Sequence, residues 1–584
     1  MRVIFRLTIF AKKYWGWLLL AFLALVASAG FNLIIPRMMG DAIDTALSSG
    51  ERSFLFVAAG IIIGAGLLRG VAEFGNRFLA EAVSQKVAYD IRNAIFNQLQ
   101  RLSFSYHDQA QTGQLMSRAT VDVEAIRMFF GMGLIGILQL VIMLVAISVI
   151  LLVLNWQLAL LTLAFMPAIA WRAVTVSARL RPMWLRIQEL MAALGTILEE
   201  SLTGIRVVKA FSRQKEEGQK FADQAKVLYD EHISIARIQA FNMPLMAFLI
   251  ALPTAVILWY GGRQVMDGTL TVGEVTQFIL YVGLLVMPVR RLGFMANMVS
   301  RTFSSGQRIF EILDVESAVK EKPDAIELGR VEGLVSFENV GFSYDAVSPT
   351  VSNINFTAQP GELVALLGGS GSGKSTVASL VSRFYDVTGG RITLDGTDIR
   401  DVTLASLRNN IGISQQDIFL FSNSIKNNIA YGAVGATMEQ IEAASKAAHL
   451  HEFIVGLPDG YETWVGERGL TLSGGEKQRL AIARTLLINP GVLILDDSMS
   501  SVDAETETLI RQALARLIVG RTTFIITHRL PIIKNADLIL MLDQGQIIEM
   551  GKHDELMARG GLYYNTFQSQ LLTAAGTGDN LIEE

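Results

Sequence analysis

The sequence predicts two joined architectures, an α-helical polytopic membrane domain with six transmembrane helices and long cytosolic extensions, followed by an α/β domain. Three observations predict them. Of the 584 residues 51% are hydrophobic, and mean hydropathy is +0.40, high for a soluble protein. Six apolar stretches of spanning length lie between residues 14 and 298. Beyond residue 330 short β-rich runs alternate with helical segments, the pattern of an α/β domain with a largely parallel core. The length alone exceeds one domain. A net charge of −4 gives no global basic field, so no nucleic-acid partner is expected. The absence of cysteine excludes disulfides, thiolate metal sites and cysteine nucleophiles.

Residues 1–305 form the predicted membrane domain. Met1 to Lys13 carries Arg2, Arg6, Lys12 and Lys13 ahead of an apolar span that runs to Pro36 without a convincing cleavage site. It is an amphipathic lead-in to the first transmembrane helix, not a signal peptide. A spanning helix needs roughly 20 apolar residues, and the candidates are Tyr14–Pro36, Phe54–Leu79, Phe129–Leu154, Leu158–Val176, Phe241–Tyr260 and Val275–Met298. Asn155-Trp156-Gln157 joins the third and fourth as a tight hairpin. Lys and Arg crowd the N-terminus and the long connections 80–128 and 177–240, whereas the loops 41–53 and 261–274 are short and mildly acidic. The positive-inside rule therefore places the N-terminus, the long connections and everything after residue 305 in the cytosol, as expected of a multi-pass protein of the inner (plasma) membrane.

The long connections are rich in Ala, Leu, Gln, Glu and Arg and nearly free of Pro, which predicts helices running on into the cytoplasm. Each contains a break, at Ser103–Arg118 and at Leu202–Phe211, with an aromatic in a polar setting. Such a break suits a knob docking onto another domain, and equally a solvated helical hairpin. Charges inside spans invite a functional reading. Arg69, Glu73, Arg77 and Glu81 recur every fourth residue with alternating sign, as an intrahelical ladder or a substrate-contacting stripe. Arg290 and Arg291 follow Pro288, with Asn297 and Arg301 beyond. They either line a cavity suited to anionic or amphipathic cargo or mark the cytosolic end of the helix.

Residues 306–330 are a polar linker and 331–572 the α/β domain, with 573–584 a disordered tail. The decisive stretch is Gly368-Gly369-Ser370-Gly371-Ser372-Gly373-Lys374-Ser375-Thr376, which follows the apolar run Leu363–Leu367 and precedes a helical segment, Val377–Phe384. Strand, glycine loop and helix are the context of a phosphate-binding P-loop. Backbone N–H groups curl around phosphates, Lys374 reaches the β- and γ-phosphates and Ser375 ligates Mg²⁺. The domain is thus an α/β P-loop nucleotide-binding domain, with a nucleoside triphosphate and Mg²⁺ as expected ligands. Val492–Asp497 is an apolar strand ending in two carboxylates, and Asp496 is assigned to Mg²⁺. Leu472-Ser473-Gly474-Gly475-Glu476 opens the helix Lys477–Leu487 and supplies a second anion site from Ser473 and the N–H groups of Gly474 and Gly475. One phosphate loop has no use for two γ-phosphate sites in one chain, whereas two chains arranged head to tail do, so a dimer with composite sites is implied.

Together these motifs make the chain resemble a half-transporter of the ATP-binding cassette family, exporter type with six helices per half, over nearly all of its length. The resemblance implies further roles. Tyr344 in Gly341–Tyr344 is similar to the aromatic that stacks on adenine, and Gln416 in Ser414–Asp417 to the glutamine that contacts Mg²⁺ and communicates with the membrane half, although Gln415 beside it leaves that register open. Val465–Gly469 resembles the loop that touches the coupling helices, and Asp503 in Ser500–Asp503 the residue that crosses the dimer interface. His528 resembles the histidine that senses the γ-phosphate, and 104–118 and 202–211 become the coupling helices.

The chain departs from the family pattern at one position. Asp497 stands where that pattern has the Glu that orients the attacking water. Asp is one methylene shorter, which draws its oxygens back by roughly 1–1.5 Å, a retreat that takes a general base out of hydrogen-bond reach. The resemblance then implies the degenerate-site subunit of a heterodimer, whose partner is a paralogous half-transporter carrying Glu and whose cargo is a small amphipathic substrate such as a drug, lipid or peptide. Two rivals stand beside it: a homodimeric lipid or drug flippase in which Asp497 works as the base, and an ATP-gated channel or regulatory receptor.

Overall fold

The computed structural model describes residues 2–48, 52–345, 348–414, 417–433, 435–466, 469, 472–496, 504–527 and 529–576. The chain divides into a membrane unit, residues 1–100 and 112–315, and a cassette unit, residues 101–111 and 316–584. The segment Arg101–Gln111, predicted inside the membrane domain, therefore groups with the cassette.

In the membrane unit a short helix, α1 (Arg2–Lys12), precedes α2 (Trp15–Ser48) and α3 (Arg52–Arg101). In the cassette unit α4 (Phe104–Gln109) occupies the first predicted break. The membrane unit continues with α5 (Thr112–Leu154), α6 (Trp156–Thr203), the short α7 (Ile205–Ala210), α8 (Gln214–Met266) and α9 (Val272–Leu313). Among the described residues six helices are long and apolar enough to cross a membrane, and they coincide with the six predicted spans. All outrun those spans. Pro36 does not end α2: it lies buried inside a helix that continues to Ser48, since a membrane helix tolerates Pro where neighbours re-satisfy the freed backbone group. The last helix passes residue 305 and ends at Leu313, so the start of the predicted linker is helical.

Local chemistry explains the joints. Asn155 caps α6, its side chain accepting from Leu158 N at 3.0 Å, and so makes the predicted hairpin between the third and fourth spans. Thr271 and Glu274 form a capping box at the start of α9. Asp44 of α2 adds to it, accepting from Gly273 N at 2.7 Å and from the Thr271 hydroxyl at 2.6 Å. Here Gly40 and Gly273 let two backbones meet: a Cβ on Gly273 would collide with the Gly40 carbonyl oxygen and the Asp44 carboxylate.

Between the spans Ile147, Leu151, Leu158, Phe278, Tyr281 and Leu285 are fully buried. The cytosolic extensions have their own core, in which Val83, Val87, Ile91, Val123, Ile126 and Ile309 surround Leu7 of α1. Beside it the buried Asp122 carboxylate accepts from Ser305 Oγ at 2.9 Å and from Arg308 Nε at 2.8 Å. The charge ladder in α3 is only partly intrahelical. Glu73 pairs with Arg77 at 2.6 Å and lies 4.0 Å from Arg69. Glu81 pairs across to Arg127 of α5 instead.

In the cassette unit the strands are β1 (Val335–Phe342), β2 (Val351–Ala358), β3 (Leu363–Gly368), β4 (Gly389–Leu394), β5 (Thr397–Asp398), β6 (Ile411–Ser414), β7 (Asn423–Ser424), β8 (Trp464–Val465), β9 (Val492–Asp496), β10 (Thr522–Ile526), β11 (Leu538–Asp543) and β12 (Gln546–Gly551). The main sheet runs β12-β11-β3-β10-β9-β6, parallel from β11 to β6 with β12 antiparallel at its edge. Its central strands are buried almost throughout, as a parallel sheet covered on both faces requires. A second, antiparallel sheet runs β2-β1-β4-β5. The run Val335–Phe337 was legible as a strand in the sequence, but the separate sheet was not, because register shifts in β1 break its alternation. The helices that matter for the site are α10 (Lys374–Val381) and α11 (Gly474–Ile488). The last, α12 (Leu562–Gly576), runs past the predicted boundary at 572; residues 577–584 lie outside the described ones.

Candidate functional site

The P-loop leaves the tip of β3, an inner strand of the parallel ladder between β11 and β10, and its conformation demands glycine at two points. Gly368 has φ +145, and a Cβ there would collide with the Leu542 carbonyl oxygen. Gly373 has φ +99 and would press a Cβ to 2.7 Å from Val351 Cγ1. It caps α10, which therefore starts at Lys374, three residues earlier than predicted. Lys374 Nζ folds back into the loop, donating to Gly368 O at 2.9 Å and Gly369 O at 2.7 Å. Burial lowers the pKa of this ammonium, while Asp496 opposes the shift. A cationic group held partly desolvated among carbonyls, beside open backbone N–H groups at a helix N-terminus, is matched to a phosphate.

Asp496 ends β9, flanked in register by Ile526 on β10, while Leu495 pairs with Ser414 on β6. Three strands thus finish together at one sheet edge. Ser375 and Asp496 line one small cavity of about 110 Å³, with Ser414 and Ile526 in its wall. A hydroxyl and a carboxylate, both hard oxygen donors, fit Mg²⁺, which typically keeps several waters beside one or two protein ligands. Gln416, Asp497, Asp503 and His528 lie outside the described residues, as do Gln415, residues 467–468 and residues 500–502. In the sequence Gln416, Asp497 and His528 come within two residues of the ends of β6, β9 and β10, and Asp503 directly precedes the helix Ala504–Ile518.

The second anion site is a helix N-terminus with a capping box. Ser473 Oγ accepts from Glu476 N at 3.4 Å, and Glu476 accepts from Ser473 N at 2.7 Å. The first N–H groups of a helix have no partner within the helix, and the space a Gly474 side chain would take is open. Sequence reasoning missed Glu476 as the residue that fixes this turn.

Comparison with known proteins agrees with this construction. Residues 18–289 match the family model of the ABC transporter transmembrane region and residues 351–500 the one described as ABC transporter. An ATP-dependent lipid A-core flippase of Syntrophus aciditrophicus is 39% identical over 504 residues, covering 86% of this chain and 84% of the relative. The chain belongs to the ABC transporter family. An uncharacterized ABC transporter ATP-binding protein of Bacillus subtilis, YknU, is 38% identical and covers 96% of the chain and 95% of its own length. Among solved structures, a bacterial Atm1-family ABC exporter with ATP bound superposes with a TM-score of 0.79 at 32% identity, over 95% of this chain and 98% of that one.

The ABC transporter described here is a multi-pass membrane protein with a cytosolic cassette, and its ATP-binding domain makes it an ATP-hydrolysis-coupled transporter of exporter type. Its two predicted breaks are both short helices flanked by long ones. In α4 the Phe104 ring lies 4.3 Å from the Phe384 ring, both within the cassette unit. In α7 and after it, Val207 and Phe211 are exposed. Arg290 and Arg291 are exposed at a local break in α9 after Pro288. Tyr344 is half exposed, and its hydroxyl lies 3.2 Å from Thr376 Oγ1 of α10. Sequence reasoning also missed Phe384 and Tyr385; an aromatic pair just beyond the P-loop helix was the available signal.

Proposed function

We propose that this ABC transporter exports small amphipathic molecules by alternating access, and that its own nucleotide site is the weak one of a dimer. ATP would be held by the 368–376 loop, with Ser370, Gly371 and Ser372 offering backbone N–H groups, Lys374 and Thr376 completing the cradle, and Tyr344 under the adenine. Ser375, Asp496 and Gln416 would hold Mg²⁺, which when bound neutralises charge on the β- and γ-phosphates. Ser473, Gly475 and Asp503 would face the nucleotide of the partner, while His528 would contact this chain's own γ-phosphate. The observation that carries the weak-site reading is the residue after Asp496, which is Asp497 where the family pattern has Glu. An intact helix α11 with its Ser473 cap supports a chain that still completes a partner's site.

A paralogous half-transporter carrying Glu is the partner this reading asks for. ATPase turnover of the chain purified alone in lipid, beside the same chain co-purified with such a half-transporter, tests it. Negligible activity alone and restored activity with the partner is the expected result; robust activity alone removes the heterodimer. The second reading, a homodimeric flippase, is favoured by the 39% identity to a protein named as a lipid A-core flippase. It requires Asp497 to act as the base.

A further inference from the structure

In the cassette unit, four aromatic rings run from the P-loop helix to α4. Tyr344 is half exposed, and its hydroxyl lies 3.2 Å from Thr376 Oγ1. Edge-on to it stands Tyr385, with centroids 5.2 Å apart and planes at 87°. Phe342 closes the cluster, 4.8 Å from Tyr344 and 5.3 Å from Tyr385. The Tyr385 hydroxyl donates to Asp108 Oδ2 of α4, 277 residues away in sequence. The neighbouring Phe384 ring packs on Phe104, one turn earlier on the same face of α4. Two consecutive cassette residues thus grip one face of α4, the first by apolar contact and the second by a hydrogen bond.

The turn that presents them is rigid. Arg383 is 2% exposed at φ +49, and its guanidinium donates to Asp386 Oδ1 at 2.7 Å, Lys320 O at 3.0 Å and Ile399 O at 3.3 Å. Arg408 donates to Ser382 O and Arg383 O and lies over the Phe384 ring. With the backbone pinned at this turn, what remains free to respond is the Tyr385 ring about its own side-chain bonds. That ring touches Tyr344 at one edge and Asp108 at its tip. Burial first, and then Asp108, push the phenol well above its ordinary range, so it stays a donor at physiological pH.

We infer that Tyr385 is a positioning residue that carries nucleotide occupancy at Tyr344 to Asp108 on α4, the helix that begins three residues after α3 ends at Arg101. Adenine stacked on Tyr344 fixes that ring's plane. The edge-on Tyr385 ring then loses its freedom to swing, and its hydroxyl is held on Asp108. Without nucleotide, Tyr344 moves and the Phe104–Phe384 contact alone holds α4. The inference rests on the reading of Tyr344 as the adenine partner.

The test is backbone hydrogen exchange of residues 103–111 in the full chain in lipid nanodiscs, with and without the non-hydrolysable analogue AMP-PNP, alongside the analogue's Kd. The analogue is expected to slow exchange of this segment roughly tenfold in the unaltered protein, the change one hydrogen bond to a carboxylate makes in an opening equilibrium. Tyr385→Phe and Asp108→Asn should each bind the analogue within about twofold of the unaltered Kd yet lose the slowing. Full slowing in Tyr385→Phe with nucleotide bound, or none in the unaltered protein, overturns the inference. Tyr344→Ala separates the two layers: it should weaken binding roughly tenfold, as loss of a base–aromatic stack does. Unchanged affinity there refutes the adenine role of Tyr344 itself, and the inference with it.

Discussion

Replacing Lys374 by methionine keeps the side-chain stem and removes the ammonium. In the structure that ammonium donates to Gly368 O and Gly369 O, with Ser372 Oγ at 3.5 Å as a weak third partner. Contact with nucleotide would exchange these neutral carbonyl acceptors for charged phosphate oxygens. An ammonium–phosphate bond pairs two opposite charges where an ammonium–carbonyl bond has only one, and that added attraction is taken as roughly 1–3 kcal/mol. Lys374→Met should accordingly raise the Kd for ATP by about 10–100-fold, and the Kd for ADP by less, because the γ-phosphate is missing. Equilibrium binding of both nucleotides to the purified chain measures this. Unchanged ATP affinity, or equal losses for ATP and ADP, would refute the reasoning. The pH dependence follows the same residue. Burial depresses the pKa of Lys374, and a triphosphate beside it would raise it. ATP affinity should be flat while Lys374 is protonated in the free protein and fall as pH rises through that depressed value, and Lys374→Met should abolish the fall.

Other substitutions probe what holds the helices and the second anion site. Asp122→Asn removes the charge that Arg308 and Ser305 bond; since Arg308 stays half exposed, the loss should be about 2 kcal/mol, read as a drop of several degrees in the unfolding midpoint. Gly273→Ala forces a methyl group against Gly40 and Asp44 and should cost about 1–3 kcal/mol as overpacking. Gly60→Ala, with open space around it, should leave the midpoint unchanged. Ser473→Ala removes the cap of α11 and should destabilise that helix by about 1 kcal/mol. The ATPase turnover of its complex with a Glu-bearing partner should fall much further than its ATP affinity.

Much of this molecule was legible in the sequence because its signals are local. Bilayer-length apolar runs announced all six membrane helices, and the loop at 368–376 announced strand, turn and helix at once. Boundaries were less legible. Pro36 and residue 305 looked like ends, yet both helices continue, since packing against neighbours and not local propensity decides where they stop. Glu81 looked like a rung of a ladder within α3 but pairs with Arg127, a partner 46 residues away that no local pattern reveals. The antiparallel sheet was invisible for a similar reason: β1 pairs with β2 and β4 across register shifts, so its alternation is broken. The contact of α4 with Phe384 and Tyr385 joins residues about 277 positions apart and could come only from three dimensions.

The most direct test of the central claim is the ATPase turnover of the chain alone in lipid, measured for the unaltered protein, Asp497→Glu and Asp497→Ala. A carboxylate too short to reach the attacking water predicts that unaltered protein and Asp497→Ala are similarly slow, and that Asp497→Glu raises turnover by about 100-fold, the contribution of a well-placed general base. Brisk turnover in the unaltered protein, abolished by Asp497→Ala and not raised by Asp497→Glu, would contradict the account and make Asp497 the working base of a homodimer.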